Sequence, residues 1–323
     1  MFDVITIGSS VRDVFLVSDK FIALKSRKFP TGSGECVSLG SKIDVEKLVM
    51  TTGGGATNAA ATFSSLGYHS AIMTRIGDDS SGKDVIEDLN ATGVSTPFVH
   101  MVKAGQTGYS VLLTMSDGER TILTFRGVSS QFTQKDISLT GCEQTKWIYL
   151  TSLGGNMVLS KKIIEHAHKH GVKIAWNPGK GEIKYGMKEI KPLLPMIDLL
   201  HMNREEATLL TGKRELPAIF KILHQEGKMC LITDGTNGCD IWRDGWTAHA
   251  DTTGVKAISR TGAGDALGSG FLAGFIKTEN LRTALAIGTL NAESVIQHFG
   301  AKKGILKKWP SLLAIKKIKI YEG

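Results

Sequence analysis

Short apolar runs recur along the chain as FDVITIG, SAIMTRIG, KWIYLTSL, VKIAWNP, DLLHMN and KMCLITDG, each ending in a polar or glycine-containing turn. Between many of them lie stretches with helical patterning, ATNAAATFSSLG, SGKDVIEDLNATG and LSKKIIEHAHKHG, and each closes on a glycine at a plausible C′ position. Strands buried on both faces need continuous apolar runs, and strands joined through helices lie parallel. The alternation therefore predicts an α/β fold, a three-layer α/β/α body with a mostly parallel central sheet. The 323 residues can bury a full core, and 41% hydrophobic with 22% charged content is ordinary for a globular chain.

One segment breaks the alternation. TGYSVLLTMSDGERTILTFRG holds two strand-like runs around Asp117-Gly118, a hairpin signal with no helix between them. The stretch from VRDVFLVSDKF to Met50 is likewise strand-like and loop-like, with basic Lys25, Arg27 and Lys28 and small residues around Gly32 to Gly34. These discontinuous segments, roughly 11–50 and 99–127, predict a small β-lid over one edge of the main sheet. No repeat or low-complexity linker divides the chain, so residues 1–323 are expected to form a single domain with its lid. The hairpin carries Val111, Leu113, Ile122 and Leu123, and with one face over a ligand the other needs cover, which predicts a homodimer formed lid to lid.

Charge and cysteine usage narrow the class. The opening MFDVITIGSSVRDVFLV has Asp3 early, no basic leader, and Arg12-Asp13 interrupting the apolar run, so it reads as a buried strand and not as a signal peptide. No uncharged apolar run reaches spanning length, which argues against a membrane helix. Cys36, Cys142, Cys230 and Cys239 are scattered without CxxC spacing, against a zinc site or disulfide framework and in keeping with a reducing cytoplasm. The formal charge is +8, much of it from AKKGILKKWPSLLAIKKIKIYEG. Aromatics are sparse there and no nucleic-acid module accompanies the lysines, so an anionic small substrate such as a nucleotide is the expected partner, and nucleic acid is not. His166, His168 and His170 in HAHKH stand two apart, a spacing that turns helical side chains to different faces, so a solvated helix end is expected there and not a metal site.

ISRTGAGDALGSGFLAGF places Gly262, Ala263, Gly264 and Asp265 at the mouth of an apolar helix. A helix start presents unpaired N–H groups and the positive end of its dipole, and small residues let an anion approach that backbone closely. Asp265 is itself negative. A site that only held phosphate gains nothing from it, whereas a site that moves phosphate needs a base beside the anion hole. The structural alternative is an ordinary N-terminal carboxylate favoured by the dipole. TTGGGATNAAATFSSLG is a second such entrance, where Gly53, Gly54 and Gly55 permit close approach and Asn58 offers donors and an acceptor, although a structural turn has the same composition. GDDSSGKD fits G-x-x-x-x-G-K, but Asp84 stands where a hydroxyl is needed and Asp78 and Asp79 where phosphates would lie, so it reads as a capped turn into a surface helix. GAGDALG fails as a dinucleotide fingerprint because Leu267 occupies the third glycine's place.

In this order and near opposite ends of the chain, the two glycine-rich entrances resemble the paired signatures of the ribokinase family of sugar and nucleoside kinases, also called the phosphofructokinase-B family. The resemblance runs from Phe2 to about Ile305. It implies a ribokinase-like fold and an ATP- and magnesium-dependent kinase that phosphorylates a hydroxymethyl group of a sugar or sugar-like molecule. Asp265 would be the base, with the N–H groups of Gly262, Ala263 and Gly264 holding the transferring phosphoryl group. SVRDVFL resembles the strand end whose acid, here Asp13, holds substrate hydroxyls, together with Gly53, Gly54, Gly55 and Asn58. MNREEATLLTG matches an N-x-x-E element, Asn203 and Glu206, that would organise magnesium through water, although the same pattern makes a helix-capping box. LITDGTNGCDIW is similar to the nucleotide strand and turn, with Thr233, Gly235 and Gly238, and LNAESVIQHFGAKKGI makes Asn291 a nucleotide candidate.

Substrate identity is less constrained. Ala56 and Thr57 follow the glycines where ribokinases often have lysine, and Thr151 and Ser152 stand near where they place a glutamate. A nucleoside is the alternative substrate. Arg126 and the basic segment Lys25 to Lys28 suggest a phosphate or carboxylate on the acceptor, or, for Arg126, a plain surface arginine. Ser259-Arg260 replaces the Asp-Thr pair that contributes to a potassium site in some relatives, so little potassium dependence is expected. A catalytically silent sugar- or nucleotide-binding regulator is the reading from another class.

Overall fold

The computed structural model describes residues 1–29, 32–115 and 119–323. In chain order its strands are β1 (Phe2–Ile7), β2 (Val11–Val17), β3 (Ile22–Lys25), β4 (Ser33–Cys36), β5 (Lys47–Gly53), β6 (Ser70–Gly77), β7 (Ser95–Val102), β8 (Gly108–Thr114), β9 (Arg120–Phe125), β10 (Thr145–Leu150), β11 (Lys173–Trp176), β12 (Leu199–Asn203), β13 (Met229–Thr233), β14 (Cys239–Arg243), β15 (Trp246–Ala250) and β16 (Ile320–Glu322). Ten of them form one sheet in the order β16-β15-β14-β13-β12-β11-β10-β1-β6-β7. From β7 across to β13 every pair is parallel, and β13 to β16 pair antiparallel.

Strand alternation feeds two cores. Ile5, Ile7, Ile148 and Leu150 point to one face and pack with Ile163 and Ile164 of the helix Met157–Lys169. Val4, Trp147 and Tyr149 point to the other and meet Phe271 and Leu272 of the helix Ala263–Thr278. Successive strand residues must face opposite layers, so the continuous apolar runs of the sequence are what a sheet covered on both sides requires. The chain leaves β1 toward β6 on one side and returns to β10 on the other, which opens a crevice at the carboxyl ends of these strands.

A second sheet, β5-β2-β8-β9, is the lid. β8 and β9 pair antiparallel with Leu113 opposite Thr121, and the Asp117-Gly118 turn lies outside the described residues. The lid boundaries differ from the expected ones. Residues 99–102 belong to β7, the parallel edge strand of the main sheet, and β5 continues beyond Met50 as far as Gly53. The basic segment forms a separate β3–β4 ribbon, with Lys25, Arg27 and Lys28 exposed.

The GDDSSGKD turn is a cap, as its acids predict. Asp79 accepts hydrogen bonds from the Gly82 N–H at 2.8 Å and from the Thr107 N–H and hydroxyl at 2.9 and 2.6 Å, so its carboxylate fills the place a phosphate would need. No helix among the described residues is long and apolar enough to cross a membrane.

Candidate active site

Both glycine-rich entrances are helix starts that only glycine can make. Gly54 precedes the helix Gly55–Ser65 with φ of 99°, and a Cβ on it would lie 2.4 Å from the Ser9 carbonyl oxygen. Gly262 precedes the helix Ala263–Thr278 with φ of 81°, and a Cβ there would lie 2.2 Å from the Ala301 Cβ. Gly264 faces open space, leaving its amide approachable.

The two entrances meet. Asn58 Nδ2 donates to Asp265 Oδ2 at 2.8 Å, joining residues 207 apart in sequence. Asn58 Oδ1 is buried with no partner, as is Thr261 Oγ1 beside the glycines. Buried polar atoms are rarely left unpaired, so the free Asn58 Oδ1, on the amide that holds Asp265, is placed to take a ligand's polar group. Burial raises the Asp265 pKa above the ordinary carboxylate value, and the Asn58 hydrogen bond opposes that shift.

Asp13 projects from β2 on the lid. Its pKa is also raised, first by burial and further by the negative charge of Asp265, while a hydrogen bond from Ser110 and the charge of Lys302 pull it down. Gly53 lies against it, and a Cβ on Gly53 would sit 2.0 Å from Asp13 Oδ2. The lid acid and the helix-mouth acid thus act on one another, and the glycine turn is what lets the lid acid approach.

A cavity of about 330 Å³ opens at the carboxyl ends of β1, β10, β12 and β13. Gly262, Ala263, Gly264 and Asp265 line one side, and Gly55, Thr151 and Ser152 another. Asn203, Glu206 and Thr233 close a third, and Arg260 also reaches this wall. A smaller apolar slot of about 120 Å³ adjoins it, sharing Thr233, Ala263 and Gly264 and lined further by Gly235, Gly238, Leu267 and Ile296. The larger cavity is lined mostly by polar groups and the smaller slot mostly by apolar ones.

Some expected residues sit otherwise than the sequence suggested. Asn291 is fully buried, its Nδ2 donating to the Ala266 carbonyl at 2.8 Å and its Oδ1 accepting from the Leu306 N–H at 2.9 Å, so it braces two helices and has no atom left for a nucleotide. Its helix neighbours Thr289, Ala292 and Glu293 line the slot in its place. Arg126 is exposed and lines neither cavity. Asn203 and Glu206 do form the capping box, Asn203 Oδ1 accepting from the Glu206 N–H at 2.8 Å and Glu206 Oε2 from the Asn203 N–H at 3.0 Å, yet both also line the cavity. Burial raises the Glu206 pKa.

The profile of the pfkB family of carbohydrate kinases matches residues 1–308. The chain belongs to this family. An uncharacterized sugar kinase of Archaeoglobus fulgidus is 26% identical over 247 residues, 75% of this chain and 97% of that one. The ATP-dependent ribose-1-phosphate kinase of Halopiger xanaduensis is 26% identical over 276 residues, 84% of this chain and 88% of that one. The solved structure of adenosine kinase from Sinorhizobium meliloti superposes with a TM-score of 0.78 at 22% identity, covering 95% of this chain and 97% of that one. The ribokinase-like fold expected from the paired motifs is therefore the fold observed, and the protein is an ATP-dependent pfkB kinase of the sugar and nucleoside class.

Sequence reasoning missed several residues of this pfkB kinase. Lys302, one of the tail lysines, is buried and pairs with Asp88 and Thr52 while its charge reaches Asp13. Glu182 is fully buried, its carboxylate accepting from Ser152 Oγ and from the Leu153, Gly155 and Gly179 N–H groups at 2.8 to 3.0 Å, which shapes the wall behind Thr151 and Ser152. His201 lines the cavity as a neutral ring, burial holding its pKa down to about 4. None of the three lies in a glycine motif, and no periodicity marks them.

Proposed function

We propose that this kinase transfers the γ-phosphoryl group of ATP to a hydroxymethyl group of a sugar, with Asp265 as the base. The observation that carries the proposal is the Asn58–Asp265 pair at the mouth of the glycine-lined helix, with the unpartnered Asn58 oxygen beside it. Asp13 and Asn58 orient the acceptor so that its hydroxyl faces Asp265, which takes the proton as the oxygen attacks phosphorus. The amides of Gly262, Ala263 and Gly264 stabilise charge on the phosphoryl oxygens. The slot lined by Thr233, Gly235 and Gly238 receives the base of the nucleotide.

Magnesium fits the donor set. Glu206 and Asn203 bring oxygen donors to the cavity wall, and a hard cation that keeps waters and phosphate oxygens needs few protein ligands. They would hold it through water, and when bound it neutralises charge on the phosphates. The four cysteines are free, which supports a reducing cytoplasm as the compartment. A lid-to-lid homodimer completes the reading.

A sugar phosphate is the second reading for the acceptor. Lys302 supports it, a buried ammonium close enough to Asp13 for their charges to couple, and so does the ribose-1-phosphate kinase among the relatives. The test is ADP release from MgATP with a panel of sugars, sugar phosphates and nucleosides. Turnover with a free sugar supports the first reading, and turnover confined to phosphorylated sugars supports the second. Turnover confined to nucleosides replaces both, and binding without ADP release across the panel makes the protein a regulator.

A further inference from the structure

At the amino ends of the central strands, away from the cleft, Glu143, His166 and His170 converge. Glu143 stands just before β10, and the helix Met157–Lys169 returns from the cleft end to this end of the sheet. Residues four apart share a helical face, so His166 and His170 lie together, whereas the spacing of two that governs His168 leaves it out of the cluster. His166 Nε2 is 3.0 Å and His170 Nε2 3.7 Å from the same Glu143 oxygen. One ligand atom from each residue lies within 4.8 Å of the other two.

The tautomer of His170 is set by the backbone. Its Nδ1 is 2.8 Å from the His166 carbonyl oxygen, a contact that requires Nδ1–H to donate and leaves Nε2 as the bare nitrogen of the neutral ring. An outer hydrogen bond of this kind is what orients a metal-ligating imidazole. The two rings are 4.2 Å apart, and both present Nε2 to one Glu143 oxygen.

We propose that Glu143, His166 and His170 bind a divalent transition-metal ion, Zn²⁺ foremost, with the remaining position left to water. Two imidazoles and a carboxylate suit such an ion, which takes them at about 2.0–2.2 Å, and disfavour magnesium, which takes oxygen ligands. The negative end of the helix dipole adds to the attraction for a cation. The ion joins the turn before β10 to the end of the helix that follows it. It therefore acts on stability and not on phosphoryl transfer.

Tag-free, metal-stripped protein titrated calorimetrically with Zn²⁺ alone, without nucleotide, should bind one equivalent, melt at a higher temperature and keep the ion in excess Mg²⁺. Losing an inner ligand should cost at least the roughly 10–100-fold in affinity that losing an outer-shell partner costs. His166→Ala, His170→Ala and Glu143→Gln should each show that loss, with His168→Ala unchanged and kinase turnover preserved in all four. Failure to find a one-equivalent site, or a site that survives any of the three ligand substitutions, overturns the proposal.

Discussion

As the proposed base, Asp265 would carry a conflict between stability and catalysis. Its folded pKa lies above its unfolded value, so the folded protein binds the extra proton and loses stability as pH rises through that window. At neutral pH the burial of the charge is therefore a standing cost. Asp265→Asn should remove that cost and raise the thermal midpoint while lowering turnover about 10²–10⁴-fold, a pairing that melting curves and initial rates read together. An unchanged turnover would remove Asp265 from the mechanism. Asn58 supplies the hydrogen bond that holds the Asp265 pKa down, so Asn58→Ala should move the acidic limb of the kcat–pH profile to higher pH than in wild type; a superimposable limb would detach Asn58 from the base. The same helix mouth lacks an acid at Ser259, and Arg260 stands at the cavity. A guanidinium repels a monovalent cation, so exchanging sodium for potassium at constant ionic strength should leave turnover unchanged, and saturable activation by potassium would refute this.

At the scale of elements, the lid's outer face calls for a partner. Cross-strand neighbours share a face, and the row Met50–Val14–Val111–Leu123 lies opposite the row of Asp13. Leu48, Met50, Leu123 and Phe125 remain 52 to 55% exposed, an apolar surface a lone lid would show to water. Light scattering should give twice the 34.8 kDa chain mass, and Met50→Lys with Leu123→Lys should return the monomer; a wild-type monomer at assay concentration defeats the prediction. Strand and helix types were legible here because burial on two faces demands continuous apolar runs. Which side of a helix faces a ligand was not. Asn291 and Glu293 stand two apart in one motif, one bracing the core and the other accepting Thr253 Oγ1 at 2.8 Å beside the slot, and only the packing of the neighbouring helix decides between them. Lys302 looked like one more tail charge for the same reason, since burial is conferred by Thr52 and Asp88 from remote segments. The helix mouths were legible because their chemistry is local: glycines followed within a few residues by the polar side chain, Asp265 in one and Asn58 in the other.

For the molecule as a whole, the crevice opens at the carboxyl ends of the central strands, and its walls come from segments between Ser9 and Asp265. Lid closure over bound acceptor would keep water from the phosphoryl group. β1 sits mid-sheet and pairs with β10, Phe2 opposite Thr145. The hydrogen bond from Asn58 to Asp265 reaches farther still, spanning 207 residues. Contacts so distant along the chain form late, after nearer ones have reduced the loop that must close. Enzyme activity should therefore be the slowest signal to return on dilution from urea, lagging behind helix content measured by circular dichroism, and simultaneous recovery would show the site assembling with the sheet. The joint between the two glycine turns thus acts as a clock for the newly made chain, because a kinase able to spend ATP exists only once its folding has run to completion.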